Sequence, residues 1–269
     1  MSILTVDQER CINCGICAEV CPAGIIRMRR NQPEVLLEKA CMACGHCIAV
    51  CPRDAIDNVK TPVINQIPLE GIPKLDAATA ARFLRSRRSI RCYRTESVPR
   101  EKLNQLLDIA RFAPSGSNAQ GVSYIIIENR EILKKIITVT VDWLEEQISL
   151  GLDWTKPYAG VAKIYRRTGR DVILRDAPHL IVATASNNTF GRTNALLALA
   201  YAELFAPTIG LGTCWSGFVE MCAFANYSPL IHLLQVPEDK HVTGAIMAGY
   251  PKYSYRRLVD RNPLEINWI

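Results

Sequence analysis

Eight cysteines fall in two runs of identical spacing: Cys11, Cys14, Cys17 and Cys21 before Pro22, then Cys41, Cys44, Cys47 and Cys51 before Pro52. This repeated C-x2-C-x2-C-x3-C-P run constrains the fold more than any other feature, because it sets eight thiolates where two cubane clusters can share them. Three cysteines at intervals of three wrap the chain around one [4Fe-4S] corner, and the proline turns it so that the fourth thiolate points at the other cluster. By the general rule of this motif, ligation crosses. One cluster takes Cys11, Cys14, Cys17 and Cys51, and the other takes Cys41, Cys44, Cys47 and Cys21. A zinc site built from cysteines needs only four sulfurs and leaves the further C-x2-C step and the C-P ending of each run unexplained. A disulfide framework needs an oxidising compartment, and the opening MSILTVDQERC lacks the apolar stretch of a secretory signal. A cytoplasmic setting, one that protects oxygen-labile clusters, is the expectation.

The segment over residues 1–60 resembles a bacterial two-cluster ferredoxin. Domains of that kind are small, and their clusters help to organise the fold, as metal binding supplies folding free energy elsewhere. Charge is balanced there, with basic residues at 10, 27, 29, 30, 39, 53 and 60 and acidic residues at 7, 9, 19, 34, 38, 54 and 57, so the net +6 of the chain comes from the remainder. The full 269 residues are too many for a ferredoxin alone, and what is left suffices for one α/β domain with its own core. Residues 61–74, with three prolines, one glycine and no helical or alternating period, read as a linker. A second domain over 75–269 follows. Glu203 interrupts the most apolar stretch, Ala195 to Ala206, so no membrane span is expected.

Within the second domain, helical spacing covers Leu75 to Arg85, the segment opened by Pro99, Ile132 to Leu150 and Arg192 to Thr208. Val122 to Glu128, His179 to Ala185 and Val242 to Gly249 read as strands, and Ser228-Pro229 as a helix cap and first turn. The fold class is α+β: a two-cluster domain followed by a sheet covered by helices.

Three segments of this domain point to a ligand. Arg87, Arg88, Ser89 and Arg91 lie in a stretch with arginines at 82, 85, 87, 88, 91 and 94, and the guanidinium fork matches phosphate oxygens. A charge run alone more often marks a solvated face. Ser115, Asn118 and Gln120 sit in a polar turn whose amides could meet the edge of a ring, although a plain loop is the commoner meaning. Gly210 to Gly217, through Cys214, Trp215 and Ser216, is glycine-rich and would let backbone approach a planar ligand.

In order and spacing, the three segments resemble the FMN-dependent nitroreductase family over roughly residues 75–257, a stretch that also includes Gly249-Tyr250-Pro251. The resemblance implies that Arg87, Arg88, Ser89 and Arg91 bind FMN, that Ser115, Asn118 and Gln120 form the turn in which the asparagine faces the isoalloxazine, and that Ser216 and Gly217 present backbone N–H groups near N5, with Cys214 and Trp215 beside them. Arg256 and Arg257 are the candidates for a basic pair completing the phosphate site. Members are intertwined homodimers, so a homodimer with a shared site is implied. Many members carry an acid where Ser216 stands, and the hydrogen bonds of that carboxylate are absent here. No G-x-G-x-x-G follows a strand, so a Rossmann site for NAD(P)H is lacking.

The function expected is that of a flavin-dependent oxidoreductase holding FMN and two [4Fe-4S] clusters. Electrons from the clusters would pass through FMN to an electron-poor small molecule: a nitroaromatic, a quinone or an activated alkene. Ferredoxin is the favoured donor, and NAD(P)H stays open because in this family it stacks transiently on the flavin. A non-enzymatic electron carrier or redox sensor, and a reductive dehalogenase or flavin-modifying enzyme on the same fold, are the alternatives. Nucleic acid is not an expected partner, because the same arginines serve the FMN phosphate. No side chain is assigned as acid or base. Cys92 and Cys222 read as packing thiols, with Cys214 set apart by its place before the N5 loop. Trp143 reads as core, Trp154, Tyr158 and Tyr165 as a substrate lid, and His179 and His232 as structural.

Overall fold

The structure, a computed structural model, describes residues 2–186 and 190–269. The chain divides into two compact units, one of Met1–Lys74 with Ser117–Ala119 and one of Leu75–Gly116 with Gln120–Ile269.

The first unit is built twice on one plan. Strand β1 (Leu4–Val6), helix α1 (Ile16–Glu19), strands β2 (Ile26–Arg29) and β3 (Gln32–Val35), helix α2 (His46–Ala49) and strand β4 (Ile56–Asn58) follow in order. β1 pairs antiparallel with β4, and β2 with β3. The left-handed positions of the two halves lie thirty residues apart: Asn13 and Ala43, Gly15 and Gly45, Gly24 and Asp54. Each four-residue helix is entered through one of these left-handed glycines, Gly15 or Gly45, so that the chain doubles back within the cysteine run. Its core is small, with Leu4, Ile25, Ile26, Ile48 and Ile56 packed around Cys17 and Cys47. Part of the stretch read as a linker is ordered onto this unit: Asp57 Oδ1 accepts from Val63 N at 2.9 Å, and Gln66 donates to Thr61 O at 3.0 Å.

The second unit contains α3 (Ala77–Ser86), α4 (Arg100–Ala110), β5 (Val122–Ile127), α5 (Arg130–Ser149), α6 (Ala159–Thr168), β6 (His179–Ser186), α7 (Gly191–Phe205), β7 (Gly212–Trp215), α8 (Gly217–Phe224), α9 (Ser228–Leu234) and β8 (Lys240–Gly249). The strands form one antiparallel sheet in the order β5-β6-β8-β7. Alternation sends Leu180, Val182, Ala245 and Met247 to one face and Ile181, Ala183, Ile246 and Ala248 to the other. The first face packs against α5, α6, α8 and α9, the second against α4 and α7. With both faces covered, β6 and β8 read as near-continuous apolar runs rather than as an alternation. Trp143, on α5, lies in the first of these cores, as its spacing suggested.

Several sequence readings shift. The stretch 209–218, read as a glycine loop, contains edge strand β7, and Ser89 and Tyr93 bridge Thr213 and Pro251 alongside it. Between Leu150 and His179, where no element is read from the sequence, the chain forms α6. α7 stops at Phe205, where Pro207 leads into a 3-10 turn closed by left-handed Gly210. Tyr227, not Ser228, occupies the cap position of α9, and the Ser228 hydroxyl meets His232 Nδ1 at 3.2 Å instead. Among the described residues, no helix is long and apolar enough to cross a membrane.

Candidate functional site

In the first unit the folded-back halves gather the thiols into two groups. One cavity is lined by Cys11, Cys14, Cys17 and Cys51, and a second by Cys21, Cys41, Cys44 and Cys47. Each cavity thus brings three cysteines of one run together with the last cysteine of the other. Burial pushes the Cys17 and Cys47 thiols up, and the facing sulfurs add to it, Cys14 and Cys51 on Cys17 and Cys44 and Cys41 on Cys47. The Ala55 N–H donates to Cys51 Sγ at 3.3 Å and the Asn58 amide to Cys41 Sγ at 3.8 Å, which are donors of the kind that stabilise bound thiolates. Asn118 belongs to this unit, and its amide nitrogen donates to Met42 O and Ala43 O, both at 2.9 Å. These two bonds commit the donors of the Asn118 amide.

In the second unit, segment 89–93 lies beside β7. Ile90 N donates to Thr213 O at 2.9 Å, and Arg94 N to Tyr250 O at 2.9 Å. The fit demands Gly212, since a Cβ there would stand 2.4 Å from Ile90 Cγ1 and 2.9 Å from Pro251 Cγ. The glycine thus serves close packing of chain on chain.

Beneath this segment lies a polar group organised by Glu203, the one acid of α7, which is 5% exposed. Trp215 Nε1 donates to Glu203 Oε2 at 2.6 Å, Thr213 Oγ1 donates to Oε1 at 3.3 Å, and Arg87 Nη1 lies 3.7 Å from Oε1. The last contact is an ion pair but too long for a hydrogen bond. Among the described residues, Arg87 Nη1, Arg88 Nε and Ser216 Oγ are buried polar atoms without a hydrogen-bond partner. Such groups are costly unless something else satisfies them. The Arg88 guanidinium also sits over the Tyr255 ring, 5.7 Å from its centroid. A cavity of about 230 Å³ opens there, with Arg88, Glu203 and Tyr255 in its wall.

The N–H groups named for N5 differ in state. Ser216 N donates to Ala245 O at 2.8 Å, whereas Gly217 opens α8, where first-turn N–H groups have no intrahelical acceptor. Glu220, in the same first turn, accepts from Ala245 N at 2.8 Å, and burial pushes its carboxyl up. Ser115 Oγ accepts from Gln120 N at 3.1 Å, and Gly116 N donates to Asn194 Oδ1 at 2.9 Å. Arg256 and Arg257 are exposed in the irregular C-terminal stretch.

Cys214 is buried, and burial pushes its thiol up while Arg91 opposes. It lines a second cavity of about 210 Å³, together with Arg91, Trp215, Gly217 and Arg175. Of the aromatics read as a lid, Trp154 stacks on core Trp143 at 5.9 Å and Tyr158 meets Phe218 edge-on at 5.3 Å; the Tyr165 hydroxyl lies 2.9 Å from Thr138 Oγ1. His179 is fully buried, and its Nε2 accepts from Val98 N at 2.9 Å.

Sequence reasoning missed Glu203 and Arg175 as site residues. A signal existed for the first, since a lone acid inside an apolar helix needs a partner. None existed for the second, an arginine in an irregular stretch.

Comparison with known proteins agrees with this organisation. The Nitroreductase family matches residues 84–250, more than half of the chain, and the 4Fe-4S dicluster domain matches residues 10–56. The FMN reductase [NAD(P)H] of Bacillus subtilis (strain 168) is 28% identical over 172 residues, 62% of this chain and 64% of that protein. The chain thus spans less than two thirds of that relative's length. The 4-nitrobenzoate reductase of Nocardioides sp. (strain LMS-CY) is 27% identical over 218 residues, 68% of this chain and 84% of that protein. In fold, the crystal structure of a nitroreductase with bound FMN from Bacteroides fragilis NCTC 9343 matches at a TM-score of 0.56 and 19% identity, covering 70% of this chain and 98% of that one. The chain belongs to the Nitroreductase family, with a 4Fe-4S dicluster domain ahead of its nitroreductase domain.

Proposed function

We propose that the protein is a flavin-dependent oxidoreductase that takes electrons through two [4Fe-4S] clusters in residues 1–60, passes them to FMN in residues 75–269, and reduces an electron-poor organic acceptor. The observation that carries the flavin assignment is a set of buried polar atoms, Arg87 Nη1, Arg88 Nε and Ser216 Oγ, that have no hydrogen-bond partner among the described residues. An anionic, acceptor-rich ligand satisfies such donors, as a phosphate and ring carbonyls do. FMN fits them.

In this reading Arg87, Arg88 and Ser89 hold the phosphate, with Arg256 and Arg257 closing on it. Arg91 sits at the ring edge, where a cation favours added negative charge. Ser216 and Gly217 offer a hydroxyl and a helix-terminal N–H to the ring, and Ser115, Asn118 and Gln120 are its remaining polar contacts. Glu203 orients Trp215 and Arg87 rather than meeting the ligand. Bound FMN supplies a carrier that accepts electrons singly and releases them singly or as hydride. The crossed thiol sets hold the clusters, and the nitroreductase domain forms a homodimer in the cytoplasm. Reduced ferredoxin is the favoured donor and NAD(P)H the other.

The test is anaerobic purification, with assay of iron, acid-labile sulfide and FMN, followed by turnover of 4-nitrobenzamide and a quinone under reduced ferredoxin, NADH and NADPH separately. Acceptor-dependent oxidation faster than that of free reduced FMN supports an enzyme. Oxidation no faster than free flavin contradicts it and favours an electron carrier.

A further inference from the structure

The two halves of the first unit repeat at an offset of thirty residues, so each position in one half has a counterpart in the other. Cys11 corresponds to Cys41, and Met28 to Asn58. Met28 lies in the wall of the cavity lined by Cys11, Cys14, Cys17 and Cys51, and Asn58 in the wall of the cavity lined by Cys21, Cys41, Cys44 and Cys47. A thioether has no hydrogen to donate, whereas a side-chain amide has two. The symmetry of the repeat breaks where a side chain faces sulfur.

Asn58 is 4% exposed, and its neighbours fix which way the amide points. Oδ1 accepts from Lys60 N at 2.9 Å, which leaves Nδ2 directed at Cys41 Sγ, 3.8 Å away. Turning the amide over would set one N–H against another. The main chain is held as well, since Asn58 pairs with Leu4 across β1 and β4, and Thr61 N donates to Asn58 O at 2.9 Å. Around the same cysteine, Lys60 Nζ donates to Cys41 O at 3.1 Å and to Glu38 O at 3.3 Å, and Asn118 Nδ2 donates to Met42 O and Ala43 O. Three side chains thus bring donors to the stretch from Cys41 to Cys44.

The first half is served differently. Cys11 Sγ meets the exposed Asn13 side chain through its oxygen, at 3.4 Å, and that set draws on a main-chain donor, Ala55 N to Cys51 Sγ at 3.3 Å. Arg53, also in the wall of the first cavity, is exposed, and water screens its charge. Cys14 is exposed too, which favours added charge through mobile water dipoles. Asn58 and Lys60 are instead held at their targets by the fold, and fixed dipoles need no reorganisation when charge arrives. Because an added electron raises the negative charge shared by the sulfurs, N–H groups and an ammonium beside them favour the reduced form.

We propose that Asn58, with Lys60, makes the cluster held by Cys21, Cys41, Cys44 and Cys47 the more easily reduced of the two, so that an electron entering the first unit settles there. The step is a one-electron exchange in which a one-electron reductant such as reduced ferredoxin is oxidised, the cluster is reduced, and no bond or proton changes place. This rests on the two-cluster reading above.

The experiment is an anaerobic redox titration of the holoprotein with dithionite and mediator dyes, followed by electron paramagnetic resonance, in wild type, N58L and M28N. Iron, acid-labile sulfide and FMN are assayed on each preparation. Wild type is expected to show two cluster potentials. In N58L the higher one falls by about 59 mV or more, tenfold in a one-electron equilibrium, while the lower one stays. M28N places an amide at the equivalent position of the first half, where 36% exposure leaves room for it, and is expected to raise the lower potential. Coincident potentials in wild type, or an unmoved higher potential in N58L with full iron, would overturn the proposal. Where N58L misfolds and loses iron, M28N decides, and a lower potential left unmoved with full iron overturns the proposal as well. Iron for fewer than two clusters in wild type would defeat the two-cluster reading itself, an outcome distinct from two clusters at one potential.

Discussion

Trp215 Nε1 donates to Glu203 Oε2 at 2.6 Å, tying edge strand β7 to the last turn of helix α7. The carboxylate also meets Thr213 and Arg87, so one buried acid serves three partners from two segments of the candidate flavin site. Glu203→Ala strands an indole N–H and a guanidinium in the interior, and a loss of about 3 kcal/mol in urea unfolding is the expected result. Glu203→Gln keeps an acceptor for the indole and loses only the ion pair. It is expected to fall between the two, with FMN bound more weakly as Arg87 loses its orientation; equal stability of wild type and Glu203→Ala would refute the arrangement.

Close packing at Gly212 makes a second prediction. Gly212→Ala forces a Cβ against Ile90 and Pro251, and overpacking of this kind costs about 1–3 kcal/mol. Because Ile90 is the nearest obstacle, Gly212→Ala with Ile90→Ala should be less destabilised than the sum of the single changes, by an amount a thermal-melt double-mutant cycle detects. Strict additivity would show that the two do not meet.

His179 predicts a pH dependence. Burial holds its folded imidazole below the usual 6.5, with Glu128 opposing weakly, and Nε2 must stay unprotonated to accept from Val98 N. The unfolded chain therefore binds the proton more tightly, and the stability that neutral His179 contributes is present above 6.5 and lost as pH falls below it. Urea midpoints measured between about pH 5 and 8 should rise with pH, and His179→Gln should flatten that rise. An unchanged slope would mean that another group titrates.

Much of this architecture is legible in the sequence, and the unread parts share a physical cause. The cysteine spacing identifies thiols that the fold assembles into two groups, since a motif dense in ligands leaves few geometries. Strand β6 and helix α5 are readable because their apolar patterns are long. Edge strand β7 is not, since Gly212 and Thr213 look like turn residues and only Ile90 and Pro251 reveal why a glycine is needed. Arg175 stays hidden for a similar reason: its exposure depends on Asp171 capping a turn. Sequence periodicity carries no record of such a tertiary hydrogen bond.

Iron removal offers a further test of the first unit. Its apolar core is a handful of side chains around Cys17 and Cys47, so anaerobic chelation should expose residues 2–60 to protease while the sheet of the second unit stays protected. Cys47→Ser in the full chain should lower iron content by roughly half. Retention of full iron by that variant would contradict the thiol assignment.

The central claim is that electrons reach the flavin through the clusters. The most direct measurement is anaerobic stopped-flow reduction by reduced ferredoxin, following cluster and flavin absorbance in wild type and in a Cys44→Ser, Cys47→Ser variant that retains FMN. The account predicts cluster bleaching before or with flavin reduction in the wild type, and at least a tenfold slower flavin phase in the variant, on the order of 1.4 kcal/mol in barrier. Flavin reduced equally fast in both proteins would contradict it.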